Sequence, residues 1–356
     1  MKDRLYAPGP VELPPEVLAA LARPVLHHRT PAFRELQERT DRRLREVFLT
    51  GDEEVITLSA SGSAGLEAAF LASVPAGAKV LVVNAGKFGE RWRVIAETYG
   101  HETVDLHFEW GRAADPAVLE EALAANPGIE AVLATHSETS TGVLHDVEAL
   151  AAATRRQAPE ALFLVDAVTS IAAAELRPLD WQLDAVVAGS QKGLLAPPGL
   201  AFVWLSRRAW EQPEERLHPH FYLNLRDRRG GRQPTTPATS LVAALDAALG
   251  LILEEGLENL WRRRERLTLQ LIAELEPLGF TVFAERVAPA VAALRVPDGV
   301  DGRKLVGALR DLGLTVAGGQ DRLAGLIVRP SLLGHADAFD VAVLAAGFRA
   351  ALANIG

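Results

Sequence analysis

The chain contains no cysteine in its 356 residues, which removes disulfides, thiolate metal sites and cysteine nucleophiles. It holds a single methionine and only five lysines against 32 arginines. The scarcity of cysteine and methionine is compatible with a thermophile; a GC-rich genome would give the same arginine and alanine bias. No run of about 18 uninterrupted apolar residues occurs, so a membrane span is not expected. The N-terminus lacks the apolar stretch of a signal peptide. A net charge of −9, with no long isolated Lys/Arg tract, argues against a nucleic-acid partner. What is left is a cytoplasmic globular protein, 49% apolar, long enough for a large domain and a smaller one.

Short β-branched runs at 55–59, 79–84, 103–108, 131–136, 162–165, 185–188 and 200–205 alternate with helical patterns such as 89–99 and 115–125. That alternation predicts an α/β fold, a mostly parallel sheet with helices on both faces. The link between the last two runs, through Pro197, Pro198 and Gly199, is too short for a crossover helix, so those strands should pair antiparallel and make the sheet mixed. A long helical pattern over 239–275 carries Gly250 and Gly256 as expected breaks. Strands near 281–283, 290–296, 314–317 and 325–328, with helices near 302–312 and from 337, then describe a smaller α+β unit. The expected organisation is an N-terminal segment over 1–20 packing on the active site or a partner, a large cofactor domain over 21–238, and an interdomain helix plus small domain over 239–356.

Lys192 stands at the end of an apolar strand, after Gly189, Ser190 and Gln191. An amine there loses solvation when charged, so its pKa should fall and make it nucleophilic; snorkelling to solvent is the plain alternative. Ser61, Gly62 and Ser63 follow the first large-domain strand and open a helix, where free backbone N–H groups and hydroxyls can cradle an anion. The same turn would also serve as an ordinary serine cap. Neither G-x-G-x-x-G nor a Walker lysine is present. Asp166 ends the strand at 162–165, where open α/β sheets place their ligands, and could hold a cationic ring nitrogen or merely cap a turn. Lys192 lies 26 residues on, a gap that one strand–helix–strand unit fits. An anion cradle, an acidic strand end and a lone amine are the three anchors that pyridoxal phosphate needs.

The ordered motifs sharpen this. Ser190-Gln191-Lys192-Gly193 with Ala196-Pro197-Pro198-Gly199, Val165-Asp166-Ala167-Val168-Thr169-Ser170, and His136-Ser137-Glu138-Thr139-Ser140-Thr141-Gly142 are the strongest. Ala60-Ser61-Gly62-Ser63, Gly86-Lys87-Phe88-Gly89-Glu90-Arg91-Trp92 and His28-Arg29-Thr30-Pro31-Ala32-Phe33 agree with them. From residue 8 to about 334 the chain resembles the class V, fold type I (subgroup IV) pyridoxal-phosphate aminotransferases, near the alanine–glyoxylate, serine–glyoxylate and archaeal aspartate enzymes.

That resemblance implies a homodimer with shared sites acting on an amino acid and a 2-oxo acid in two half-reactions. Lys192 would form the Schiff base and carry the proton, and Asp166 would pair with the pyridinium nitrogen. Val168 and Phe88 would flank the ring, with Phe88 where many relatives carry tryptophan. Thr139 would bond the phenolic oxygen. Ser61, Gly62, Ser63 and Gln191 would hold the phosphate, joined by Thr235 from the partner subunit, and Arg329 would clamp the substrate carboxylate. Taken singly, Phe88 also suits a core, Thr139 a turn and Arg329 a surface ion pair. In the alanine–glyoxylate relatives a tyrosine usually precedes the phosphate-binding threonine by three residues; here the position is Arg232, which could read a second carboxylate and tilts the expectation toward aspartate. A solvated charged loop is the alternative for Arg232. A cysteine desulfurase is excluded by composition. A lyase of the same fold, or a non-catalytic scaffold subunit, would be told apart by amino-group exchange and by colour. No metal site is expected.

Overall fold

A computed structural model describes residues 3–355, so the first two residues of the expected N-terminal segment, and Gly356, lie outside the described residues. The first half runs β1 (Arg4–Tyr6), α1 (Pro15–Leu21), α2 (Pro31–Phe48), β2 (Val55–Leu58), α3 (Gly62–Ser73), β3 (Lys79–Asn84), α4 (Lys87–Thr98) and β4 (Glu102–His107). There follow α5 (Pro116–Ala125), β5 (Ile129–Thr135), the short hairpin β6 (Ser137–Glu138) and β7 (Val143–Leu144), α6 (Val147–Gln157), β8 (Leu162–Asp166), β9 (Ala185–Gly189) and β10 (Ala201–Leu205). The chain ends with α7 (Arg207–Trp210), α8 (Thr239–Glu255), α9 (Leu257–Leu275), β11 (Thr281–Val282), β12 (Leu294–Arg295), α10 (Gly302–Asp311), β13 (Leu314–Gly318), β14 (Ile327–Arg329) and α11 (Ala338–Ile355).

The large sheet has seven strands in the order β2-β10-β9-β8-β5-β3-β4. β10 runs antiparallel to both neighbours and the remaining pairs are parallel. The apolar runs of β5, β8, β9 and β10 are buried almost throughout, as strands covered on both faces require. α3 comes so near the sheet that a Cβ on Gly65 would sit 2.9 Å from Val187 Cγ1 and 3.1 Å from Ala201 Cβ. Glycine permits that approach, and it seats the N-terminus of α3 over the ends of β8 and β9.

Between β8 and β9 the structure departs from the sequence reading. The parallel pairing is there, but a chain of turns replaces the expected crossover helix. Ala172 takes a left-handed conformation (φ 57°) that stops the turn begun at Ala167, and Pro178 blocks a restart. Ala172, Ala173 and Ala174 are small enough to lie buried against the sheet without a helix. α8 likewise passes through Gly250 unbroken and ends at Gly256 (φ 82°). Gly250 leaves room for Arg43, whose Nη1 would be 3.3 Å from a Cβ there. Arg43 and Arg39 of α2 both pair with the buried Asp246 of α8 at 2.8 Å.

The second sheet has the order β1-β13-β14-β12-β11, so the N-terminal strand joins the C-terminal unit, parallel to β13. Leu267, Leu271 and Leu275 of α9 belong to this smaller core, whereas Leu245, Leu249 and Ile252 of α8 and Leu260 of α9 pack with the large one. We propose that the division between domains therefore falls within α9. α11 has the length and mean hydropathy (1.5) of a membrane span, but Val341, Leu344, Phe348 and Ala351 are built into the small-domain core.

Candidate active site

Lys192 lies in the loop from β9 to β10. Ser190 fixes that loop, its Oγ donating to the Pro197 carbonyl at 2.6 Å and accepting from Leu200 N–H at 3.2 Å. Ala196 N–H returns to Ser190 O at 3.1 Å and Leu195 N–H to Lys192 O at 3.0 Å. The Lys192 amine donates to Pro8 O at 2.8 Å. Burial and the positive field of Arg329 bring its pKa down to about 8, against the opposing pull of Asp166. The N-terminal segment covers this side chain closely. A Cβ on Gly9 would lie 2.4 Å from Lys192 Cδ and 2.7 Å from Nζ, and Gly9 has a φ of +138°.

Asp166 ends β8, beside Thr135 of β5 and Val187 of β9. It is 4% exposed and has no salt-bridge partner among the described residues; Val168 N–H donates to its Oδ1 at 2.9 Å. Burial pushes this carboxyl up to about 6, moderated by that hydrogen bond and by the charges of Arg91 and Lys192. Thr135 Oγ1 and Ser170 Oγ, buried on the flanking strand and turn, also lack partners. Ser61 caps α3, accepting from Ala64 N–H at 3.4 Å. A Cβ on Gly62 would meet Val168 Cγ2 at 2.9 Å, and one on Gly189 would meet Gln191 Oε1 at 3.0 Å and Val168 Cγ1 at 3.4 Å. The serine turn, Val168 and Gln191 thus form one wall.

Arg329, at the end of β14, is tied to the β6–β7 hairpin. Arg329 is 6% exposed; its Nη1 donates to Thr139 O at 2.6 Å and its Nε to Gly318 O at 2.8 Å, while Nη2 has no protein partner among the described residues. Burial brings it down to about 10 without neutralising it at pH 7. Phe88, on the first turn of α4, lies under the guanidinium of Arg91, 4.8 Å from the ring centre.

Ten expected site residues are linked by these contacts and fields: Ser61, Gly62, Ser63, Phe88, Thr139, Asp166, Val168, Gln191, Lys192 and Arg329. Thr235 and Arg232 are not among them. No hydrogen bond, ion pair or ring contact joins either to the other ten among the described residues. Arg232 is exposed and donates to Arg229 O at 3.2 Å and Arg226 O at 2.6 Å, and the stretch is anchored by Ala238 N–H to Ser59 Oγ at 3.1 Å.

Three residues of the site went unread in the sequence. Glu138, 1% exposed, accepts from the N–H groups of Phe88 (2.9 Å) and Gly89 (3.1 Å), fixing the start of α4, which carries Phe88. Burial raises its pKa. Arg264 of α9 is fully buried with no salt bridge among the described residues, donating to Ala172 O (2.7 Å) and Gly193 O (3.1 Å), and burial lowers it to about 9. It clips the turn after Asp166 to the turn after Lys192. Arg91 is the third. The motif containing Glu138 was visible; the 92-residue reach from Arg264 to Ala172 has no local signature.

Pyridoxal phosphate fits this constellation on the structure's own terms. A buried carboxylate with no salt bridge among the described residues suits a pyridinium, an amine of lowered pKa suits a carbonyl, and a helix start with serines suits a phosphate. Fold and site together define a fold type I pyridoxal-phosphate enzyme. The chain belongs to the class V aminotransferases, whose family model matches residues 16–344. It is 39% identical to an aspartate aminotransferase of subgroup IV from Thermus thermophilus, with a TM-score of 0.91 over 99% of this chain and 100% of that one. An L-aspartate–glyoxylate aminotransferase from Paracoccus denitrificans is 32% identical over 100% of this chain and 92% of its own. A protein from a Synechococcus species named as the small subunit of a soluble hydrogenase is 35% identical over 100% of this chain and 94% of its own. The protein is a pyridoxal-phosphate-dependent transaminase.

Proposed function

We propose that the enzyme transfers the amino group of L-aspartate to a 2-oxo acid, 2-oxoglutarate or glyoxylate. The observation that carries the site assignment is the placing of Asp166 and Lys192 at and just beyond adjacent strand ends, one carboxylate pushed up and one amine pulled down, with no salt bridge to either among the described residues. Pyridoxal phosphate, when bound, supplies the carbonyl that takes the amino group and the electron sink that makes the substrate α-hydrogen acidic. Asp166 holds the proton on the ring nitrogen. Lys192, neutral in an appreciable fraction near pH 8, would be the group that carries the substrate α-proton. Arg329 would receive the α-carboxylate through its Nη2, and Pro8 with Gly9 covers the lysine. Thr139 meets the ring hydroxyl; Ser61, Gly62, Ser63 and Gln191 take the phosphate.

Aspartate as donor is supported by the Thermus and Paracoccus relatives, whose names specify it. Arg232, exposed and without a salt bridge among the described residues, supplies the cation for a second carboxylate in the site of the neighbouring subunit, beside Thr235. That assignment makes the enzyme a homodimer; exposed Val25 (74%), Leu18 (51%) and Phe221 (89%) offer apolar surface for it. A hydrogenase activity has no support in the chain, since without cysteine there is no thiolate for iron–sulfur or nickel ligation.

The test compares aspartate, alanine, serine and phosphoserine as donors by single-turnover loss of the cofactor's visible absorption. Aspartate should react fastest, and Arg232→Ala should slow aspartate by about tenfold or more while leaving alanine nearly unchanged. Equal rates for the four donors, or an unchanged order in the variant, would remove the aspartate assignment.

A further inference from the structure

Arg91 is the cation of the site that nothing yet explains. On α4 its neighbours at helical spacing are Lys87, Phe88, Val94 and Ile95, none of them acidic, so the helix offers it no partner. The nearby carboxylates are taken: Glu90 by Lys87, and Glu97 and Asp105 by Arg93. Arg91 makes no salt bridge among the described residues. Instead its Nη1 donates to Ser63 Oγ at 3.1 Å, and its guanidinium lies over the Phe88 ring, 4.8 Å from the centre. Its charge is felt at both Asp166 and Lys192.

We propose that Arg91 supplies the full positive charge of the phosphate-binding turn, acting through Ser63. The inference rests on the reading that residues 61–63 take a phosphate. A helix start carries only a partial charge, about half a unit, and the other groups of the turn, Ser61, Gly62, Ser63 and Gln191, are neutral. A phosphate dianion there lacks a counter-charge from this subunit. Ser63, by accepting from Arg91, is left with its own hydroxyl hydrogen to donate outward. The same guanidinium braces the back of Phe88. Arg91 is a positioning residue, holding the hydroxyl that meets the phosphate and the ring that meets the cofactor.

The two effects separate by comparing pyridoxal phosphate with pyridoxal, which has the ring and no phosphate. Each is titrated into apo-enzyme by tryptophan fluorescence, at low and moderate salt, with wild type, Arg91→Gln and Arg91→Lys. The expected result for Arg91→Gln is roughly tenfold or greater weakening for pyridoxal phosphate and a change within about twofold for pyridoxal. Arg91→Lys should recover most of the loss, and the salt dependence of pyridoxal phosphate binding should shrink in the glutamine variant. Equal weakening of both ligands would reduce Arg91 to a prop for Phe88 and overturn the proposal, as would no weakening of either. Circular dichroism of both variants separates misfolding from lost affinity, and Arg91→Lys tests the charge independently. If wild type binds pyridoxal and pyridoxal phosphate alike, the phosphate reading of the turn itself falls, which is a different outcome from failure of Arg91.

Discussion

Replacing Asp166 with asparagine should stabilise the apo-enzyme while disabling the holoenzyme, and the size of the first effect follows from the carboxyl's surroundings. Burial raises Asp166 from 3.8 to about 6, because in the apo-enzyme it has one backbone N–H and no cation in contact. A carboxyl with a raised pKa binds its proton more tightly in the folded chain. Its contribution is therefore fully present below pH ~4 and lost as pH rises through ~6. At about 1.4 kcal/mol per pH unit, that gap is worth up to ~3 kcal/mol. For a chain of 356 residues, an unfolding entropy of about 2.1 cal/mol/K per residue converts 3 kcal/mol into a Tm change of roughly 4 °C. The assay is thermal melting of apo wild type and apo Asp166→Asn at pH 4.5 and 7.5, at one scan rate. At pH 4.5, already above the unfolded value of 3.8, the variant should lead by roughly 1 °C, widening to about 4 °C by pH 7.5. Adding pyridoxal phosphate should reverse the order, since the ligand stabilises only the form that binds it well. A Tm difference that is the same at both pH values would refute the reasoning.

Lys192 predicts a rate: reconstitution of apo-enzyme with pyridoxal phosphate needs the neutral amine, so its rate should rise through a midpoint near pH 8. A midpoint near the ordinary lysine value of 10.5 would show that burial and Arg329 do not act on it. Gly9→Ala places a methyl within 2.4–2.7 Å of the Lys192 side chain at a φ of +138°, so absorption from the bound cofactor and turnover should both fall by at least about tenfold with the fold kept; full activity would mean the segment does not cover the lysine. Arg264→Met removes two carbonyl contacts and a buried charge together, so stability should change by less than about 2 kcal/mol while kcat falls several-fold. Loss of stability with kcat intact would make Arg264 a structural residue only.

The parts legible in the sequence were those with short-range signatures. β8, β9 and β10 announce themselves as apolar runs, and the Pro197-Pro198-Gly199 link was short enough to require antiparallel pairing, which the register Ala201↔Gly189 shows. Asp166 and Lys192 could be placed at strand ends because a strand's end is a local property. What was illegible depended on partners far along the chain. Nothing in residues 4–6 says that they pair with 314–316, and nothing at Gly250 says that Arg43 fills the space a side chain would occupy. The crossover between β8 and β9 misled for another reason. Its length suited a helix, but a left-handed Ala172 and a buried run of alanines let turns do the same work.

Four charged groups of the site bear on the mechanism together. Elsewhere Asp246 is matched by Arg39 and Arg43, and Asp184 by Arg155, while Arg228 rests on the Tyr222 carbonyl and ring without a salt bridge among the described residues. Asp166, Lys192, Arg329 and Arg91 have no salt-bridge partner among the described residues, and three of them are shifted by burial toward neutrality. Unmatched buried charge costs stability. On the roles proposed for them, each unmatched group has an external counterpart: ring nitrogen, carbonyl carbon, substrate carboxylate and phosphate. Binding would then relieve at one step several charges that folding alone leaves strained. It follows that cofactor binding and stability are coupled through the three shifted groups, and that neutralising Asp166, Lys192 or Arg329 should help the empty protein and harm the loaded one. A site held together by ordinary packing would show the opposite pattern, with each substitution weakening both forms alike.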